Sequence, residues 1–204
     1  MARSKIRRSN GALTGMNFAL AGLIIAYLEI PMGVMGGIML ADMFRSERVR
    51  LHELAVEKKE ITSDDGKLKL TTSGFWVKTT DLNKDAALQI QNKSQDMYVL
   101  VFTDPKSTVG SMSLEQRDQV TRDGKLQSLQ NGSATQPVSL TIGGHPALQE
   151  EVSGIQKGAN LVFLHTTVDD GDSFRQIVAW TTKSRWPKQS QELRDITNSF
   201  RTEE

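Results

Sequence analysis

The stretch Met97-Tyr98-Val99-Leu100-Val101-Phe102 decides the fold. Six apolar positions in a row leave neither face of a strand for water, so the strand belongs at the centre of a sheet covered on both sides. Towards the N-terminus, Ala87-Leu88-Gln89-Ile90-Gln91 and Lys67-Leu68-Lys69-Leu70-Thr71 alternate apolar and polar side chains, the pattern of strands with one buried face. Asp64-Asp65-Gly66 marks a turn before them, and Ser73-Gly74 precedes Phe75-Trp76-Val77. Towards the C-terminus the period changes. Ser113-x-x-Gln116 is a capping-box start, which predicts a helix to about Leu129, weakened at Gly124. Beyond an Asn131-Gly132-Ser133 sequon, read as a loop, Val138, Leu140 and Ile142 alternate, and Gly143-Gly144 is a hairpin signal. Ala147 to Val152 returns, with Pro146 where a strand start tolerates it. Leu161 to Val168 and Phe174 to Thr182 flank the turn Asp169-Asp170-Gly171, and Leu193, Ile196 and Phe200 give a closing helical stripe. Short turns make the strands antiparallel. The expected class is α+β: an antiparallel β-sheet with helices on both faces, an α/β/α sandwich.

The order of these motifs resembles the PsbP-like fold family, named for an extrinsic subunit of photosystem II and including DcrB-type bacterial envelope proteins. The matching residues are Gly74-Phe75-Trp76, Asp96 to Val101, Ser113-Leu114, Ile142-Gly143-Gly144-His145-Pro146-Ala147 with Gln149-Glu150, Phe174 to Thr181, and Ser199-Phe200. The likeness spans about residues 61–201. It implies a binding or assembly module of the cell envelope instead of an enzyme. Relatives in that family also include a Ran nucleotide-release factor and chaperones that cradle transmembrane helices of type VI secretion effectors.

The N-terminal part reads differently. Residues 1–11 form a basic tail with Arg3, Lys5, Arg7 and Arg8 and no acid. Residues 12–43 are expected to be a transmembrane helix, since the 24 residues from Phe18 to Ala41 reach about 36 Å, enough for a hydrocarbon core of about 30 Å. Gly15, Ala19, Gly22, Ala26, Glu29, Gly33 and Gly36 recur at a 4-3-4-3 spacing, and Gly37 adds a Gly-x-x-x-Gly register with Gly33. Small residues let helix backbones approach, so this face is a candidate for packing, with Glu29 hidden from lipid and self-association as one outcome. Pro31 removes one hydrogen bond and kinks the span, which leaves two half-helices open as an alternative. Residues 44–60 are charged, without Gly or Pro, and read as a helical neck; residues 61–204 are the globular domain. The basic tail places the N-terminus in the cytoplasm and the domain across the membrane, although Lys and Arg after the span nearly balance those before it.

Net charge is +3 over residues 1–60 (nine Lys/Arg, six Asp/Glu) and −2 over residues 61–204 (sixteen and eighteen), which disfavours nucleic acid as a partner and favours membrane lipid beside the span. The chain has no cysteine, so thiol catalysis, thiolate metal sites and a lipid-modified cysteine are excluded. No phosphate loop, nucleophile elbow or His-Glu-x-x-His appears. The three histidines, His52, His145 and His165, read as a helix, a turn and a sheet residue, with no metal or cofactor assigned. Trp180 shares the phase of Phe174 and Val178 and reads as core, whereas Trp186 is the aromatic expected to be partly exposed. Asp169, Asp170 and Asp172 read as a turn before they read as a calcium site. The expectation is a non-enzymatic, membrane-anchored module that binds another envelope or membrane protein; the alternative is a chaperone for a client's transmembrane helices. A hydrolase would need a deep pocket gathering His145 or His165 with a carboxylate.

Overall fold

The computed structural model describes residue 45 and residues 47–203. The chain divides into two compact units, Met1–Glu53 and Leu54–Glu204. The tail, the span at 12–43 and its packing face (Gly15, Ala19, Gly22, Ala26, Glu29, Gly33, Gly36 and Gly37) lie outside the described residues. No helix among the described residues is long and apolar enough to cross a membrane. Residues 47–56 are helical and fall within the stretch 44–60 read as a neck. The neck ends sooner than its composition implies: Lys58–Thr62 is strand β1, with Glu60 opposite Thr71 and the buried Ile61 opposite Leu70.

The domain holds two antiparallel sheets where one was expected. The smaller is β1, β2 (Leu68–Ser73) and β11 (Arg201–Thr202), in the order β1-β2-β11. The larger runs β3 (Val77–Lys78), β4 (Leu88–Asn92), β5 (Met97–Pro105), β10 (Ser173–Thr182), β9 (Ala159–Asp169), β8 (His145–Gln156) and β6 (Gln130–Ala134). Strand β7 (Val138–Ile142) also pairs with β8, through a turn in which Gly143 and Gly144 both take the left-handed φ that two-residue hairpins require. β6 falls on the sequon read as a loop; it is an exposed edge strand with a register shift between Gln130 and Ser133.

The large sheet is covered unequally. On its first face, Val99, Val101, Leu164, Val168, Ile177 and Ala179 join Leu193 and Ile196 of helix α2 (Trp186–Asn198) and Leu68 and Leu70 of the small sheet in the main core. On its second face lies helix α1 (Leu114–Gln127), packed on β6, β8 and β9 and continuous through Gly124. Its capping box forms as read: Ser113 Oγ accepts from the Gln116 amide, and Gln116 Oε1 accepts from the Ser113 amide. α1 carries almost no apolar stripe. Val120 is exposed, and the one residue of the helix that is buried is Asp118. The reading of Met97 to Phe102 is therefore corrected on one side: Met97, Val99 and Val101 are fully buried, but Tyr98 and Phe102 on the second face are only half-buried.

Candidate functional site

The hairpin of β8 and β9 turns at Lys157-Gly158, both with positive φ. That centre sets Glu150 directly opposite His165. Both side chains stand on the second face, in phase with Val152, Phe163 and Thr167. Asp118, in the second turn of α1, comes down onto them. His165 Nδ1 lies 2.9 Å from Glu150 Oε1 and 3.6 Å from Asp118 Oδ1, and Thr167 Oγ1 donates to Asp118 Oδ1 at 2.9 Å. Asp118, Glu150 and His165 are each at most 2 % exposed. Burial, reinforced by the Glu150 carboxylate, pushes Asp118 up to about 6. Among the described residues, Glu150 Oε2 and His165 Nε2 are buried without a hydrogen-bond partner.

His165 also lines a cavity of about 550 Å³ over the part of the second face that α1 leaves bare. Phe102, Phe163, Val178 and Trp180 are part of its apolar lining, Leu82 and Asn83 contribute from the β3–β4 loop, and Thr121 and Lys125 from α1. Trp180, expected in the core, is half-buried here and stacks on Tyr98 with ring centroids 5.1 Å apart. The Lys125 ammonium sits 3.6 Å above the Phe163 ring, and burial pushes it down to about 8. A second groove, about 770 Å³, is lined by residues 55–58, β2 and α2; of its carboxylates, Glu192 accepts from Trp76 and Asp195 from Gln191.

The other residues singled out in the sequence lie apart from this cluster. His145 opens β8 opposite Ile142, and His52 is in the helix over 47–56. Trp76 is fully buried, and Trp186 packs half-buried against the main core at the start of α2. At the acidic turn, Asp169 pairs with Lys106 and Asp170 with Arg175, so two of the three carboxylates already have cationic partners. Chemically, the cluster offers a buried imidazole held by one carboxylate and approached by another, next to a cavity. No hydroxyl hydrogen bonds to His165 Nε2 among the described residues.

No protein-family model matches the sequence, and no curated protein is significantly similar to it. Solved structures do match. The cyanobacterial PsbP (CyanoP) of Synechocystis superposes with a TM-score of 0.53 at 9% identity, over 72% of this chain and 92% of that one. The chain has the PsbP-like fold. LpqN of Mycobacterium tuberculosis, involved in cell envelope biogenesis, matches the PsbP-like domain with a TM-score of 0.53 at 14% identity, over 72% of this chain and 91% of its own. The Ran-binding protein Mog1p of Saccharomyces cerevisiae gives 0.51 at 13%, over 71% and 94%. At these identities the PsbP-like neighbours establish the fold and leave the chemistry to this chain's own residues.

Proposed function

We propose that this chain is a non-enzymatic binding module, held at a membrane by residues 12–43, whose PsbP-like domain takes a segment of another envelope or membrane protein on the bare part of its second face. The observation that carries the reading is the half-buried aromatic floor of the cavity. Trp180 and Phe102 are large apolar side chains left half-accessible on the sheet, and accessible aromatics are the residues that anchor protein partners. The involvement of LpqN in envelope biogenesis and the Ran binding of Mog1p support binding or assembly as uses of the fold. The lining mixes Phe102, Val178 and Trp180 with Thr121, Lys125 and Gln176, which suits a partner segment of mixed polarity. A client transmembrane helix, apolar all round, fits it less well, so the chaperone reading stands second. Self-association through the small-residue face of the span, with the N-terminus cytoplasmic, belongs to the same proposal.

Photocrosslinking from position 178 in the full-length, membrane-extracted chain tests it. The expected result is one discrete adduct, reduced at least about tenfold by Trp180→Ala, as an anchoring aromatic requires. An adduct pattern untouched by Trp180→Ala and by Phe102→Ala would overturn the reading. The hydrolase alternative has one observation in its favour, the Glu150–His165 pair beside the cavity. It needs ester or peptide turnover that disappears in His165→Ala.

A further inference from the structure

We propose that Asp118, Glu150 and His165 bind a divalent transition-metal ion, with zinc the favoured occupant. One ligand atom from each of the three lies within 4.8 Å of the others. The separations of 2.9 and 3.6 Å from His165 Nδ1 to the two carboxylates bracket the roughly 3.4 Å that separates ligand atoms around a tetrahedral zinc with bonds of about 2.1 Å.

Charge and hydrogen bonding point the same way. Two carboxylates buried beside one imidazole carry excess negative charge when both ionise, and a low-dielectric site penalises that heavily. A dication balances both acids and leaves the imidazole neutral, as a ligand must be. It also meets an unfilled valence that the protein leaves: among the described residues Glu150 Oε2 is buried and unpartnered. His165 Nε2 is unpartnered there too and points away from an ion held on Nδ1, so no second hydrogen bond fixes which ring nitrogen holds the proton. Thr167 supplies the outer support, since its hydroxyl donates to Asp118 Oδ1 and orients that carboxylate.

The donor set also selects the ion. Calcium takes six to eight oxygen ligands and magnesium keeps several waters in an octahedron, whereas three donors including a ring nitrogen, with a fourth position left to water, suit zinc. Entry runs through the cavity, which His165 lines together with Thr121 and Lys125. The inference does not rest on the partner reading: His165 lines the same cavity, but none of the three donors is one of the aromatics that would anchor a partner.

The test uses the full-length chain in detergent, stripped with a chelator and titrated with zinc chloride by calorimetry. Binding of one ion per chain is expected, with a matching rise in the unfolding temperature and no response to calcium chloride. Asp118→Asn keeps the shape and an acceptor for Thr167, and should weaken zinc at least about a hundredfold, more than the loss of an outer-shell partner costs. His165→Gln should abolish the visible absorption of the cobalt-substituted protein while its near-ultraviolet circular dichroism stays that of the parent, which separates loss of a ligand from loss of the fold. Should His165→Gln fail to fold, Asp118→Asn decides. The double variant His52→Ala/His145→Ala should bind as the parent does. No zinc bound at one equivalent, unchanged affinity in Asp118→Asn, or binding lost in the His52/His145 double variant would each overturn the proposal.

Discussion

Lys125 shows how much a single side chain's surroundings can change its chemistry. Its ammonium lies on the Phe163 ring at the cavity wall, and burial lowers its pKa to about 8, well below the ordinary lysine value of about 10.4. Near pH 8 roughly half of this amine is neutral and nucleophilic, while solvated lysines stay charged. A limiting amount of an amine-reactive ester at that pH should therefore modify Lys125 ahead of the other lysines, as read by peptide mass mapping. The sign of the linked stability follows from the same shift. The folded state binds fewer protons than the unfolded chain between about pH 8 and 10.4, so Lys125 makes stability rise with pH through that window. Lys125→Met should flatten that rise in a chemical-denaturation series; an unchanged slope would show that the side chain is solvated. None of this was legible from residue type. Lysine on a helix reads as solvated, and only the packing of α1 against β9 places this one on an aromatic face.

At the scale of elements, what could be read depended on whether the pattern named a partner. Alternation identified β2, β4 and β7, but a period of two says only that two faces differ. It does not say which is covered. The even positions of β10 show this: Phe174 is buried beneath the helical turn Lys106–Val109, with Lys106 Nζ 4.9 Å from its ring centroid, whereas Val178 and Trp180 on the same face are half-buried. β6 gave no signal because all five of its residues are exposed, and Asn131, with φ +52, sits where the ladder shifts register. The cluster was half-legible. Glu150 shares the phase of Leu148 and Val152, and His165 that of Phe163; once Lys157-Gly158 is taken as the hairpin turn, the two must face each other. Asp118 was not legible, because nothing in a polar helix announces the residue that will face the sheet. α1 is held by polar contacts, Asp118 to Thr167 and Arg117 to Asp104, the latter at 2.6 Å, beside the packing of Leu126 on the small cluster of Leu129, Val152 and Phe163, so its cap should matter more than the cap of an amphipathic helix. Ser113→Ala should lower the unfolding free energy by about 1 kcal/mol in urea denaturation and speed amide exchange in residues 114–118 first. Uniform exchange along the helix would mean that the tertiary contacts, not the cap, set its start.

For the whole molecule, the question is whether anchor and binding face are separable. The cavity, the cluster and both sheets are built from residues 58–202, all within the second compact unit. Membrane attachment, in contrast, rests on residues 12–43 alone, where the ten Leu, Ile, Phe and Val residues from Phe18 to Ala41 offset a central Glu29 by only a narrow margin. Two independent outcomes follow. The full-length chain should float with phospholipid vesicles in a density gradient, and a chain lacking residues 12–43 should stay at the bottom while keeping the same near-ultraviolet signal from Trp76 and Trp180. Within the membrane, Gly22→Leu and Gly33→Leu should each reduce crosslinked dimer, because a leucine on the small-residue face holds the backbones apart. A full-length chain that stays dispersed in buffer without detergent and never floats would remove the anchor. It would leave the cavity and the buried triad untouched, since no residue of either lies before Leu82. Crosslinking unchanged in both leucine variants would keep the anchor but strip its small-residue face of any role in pairing.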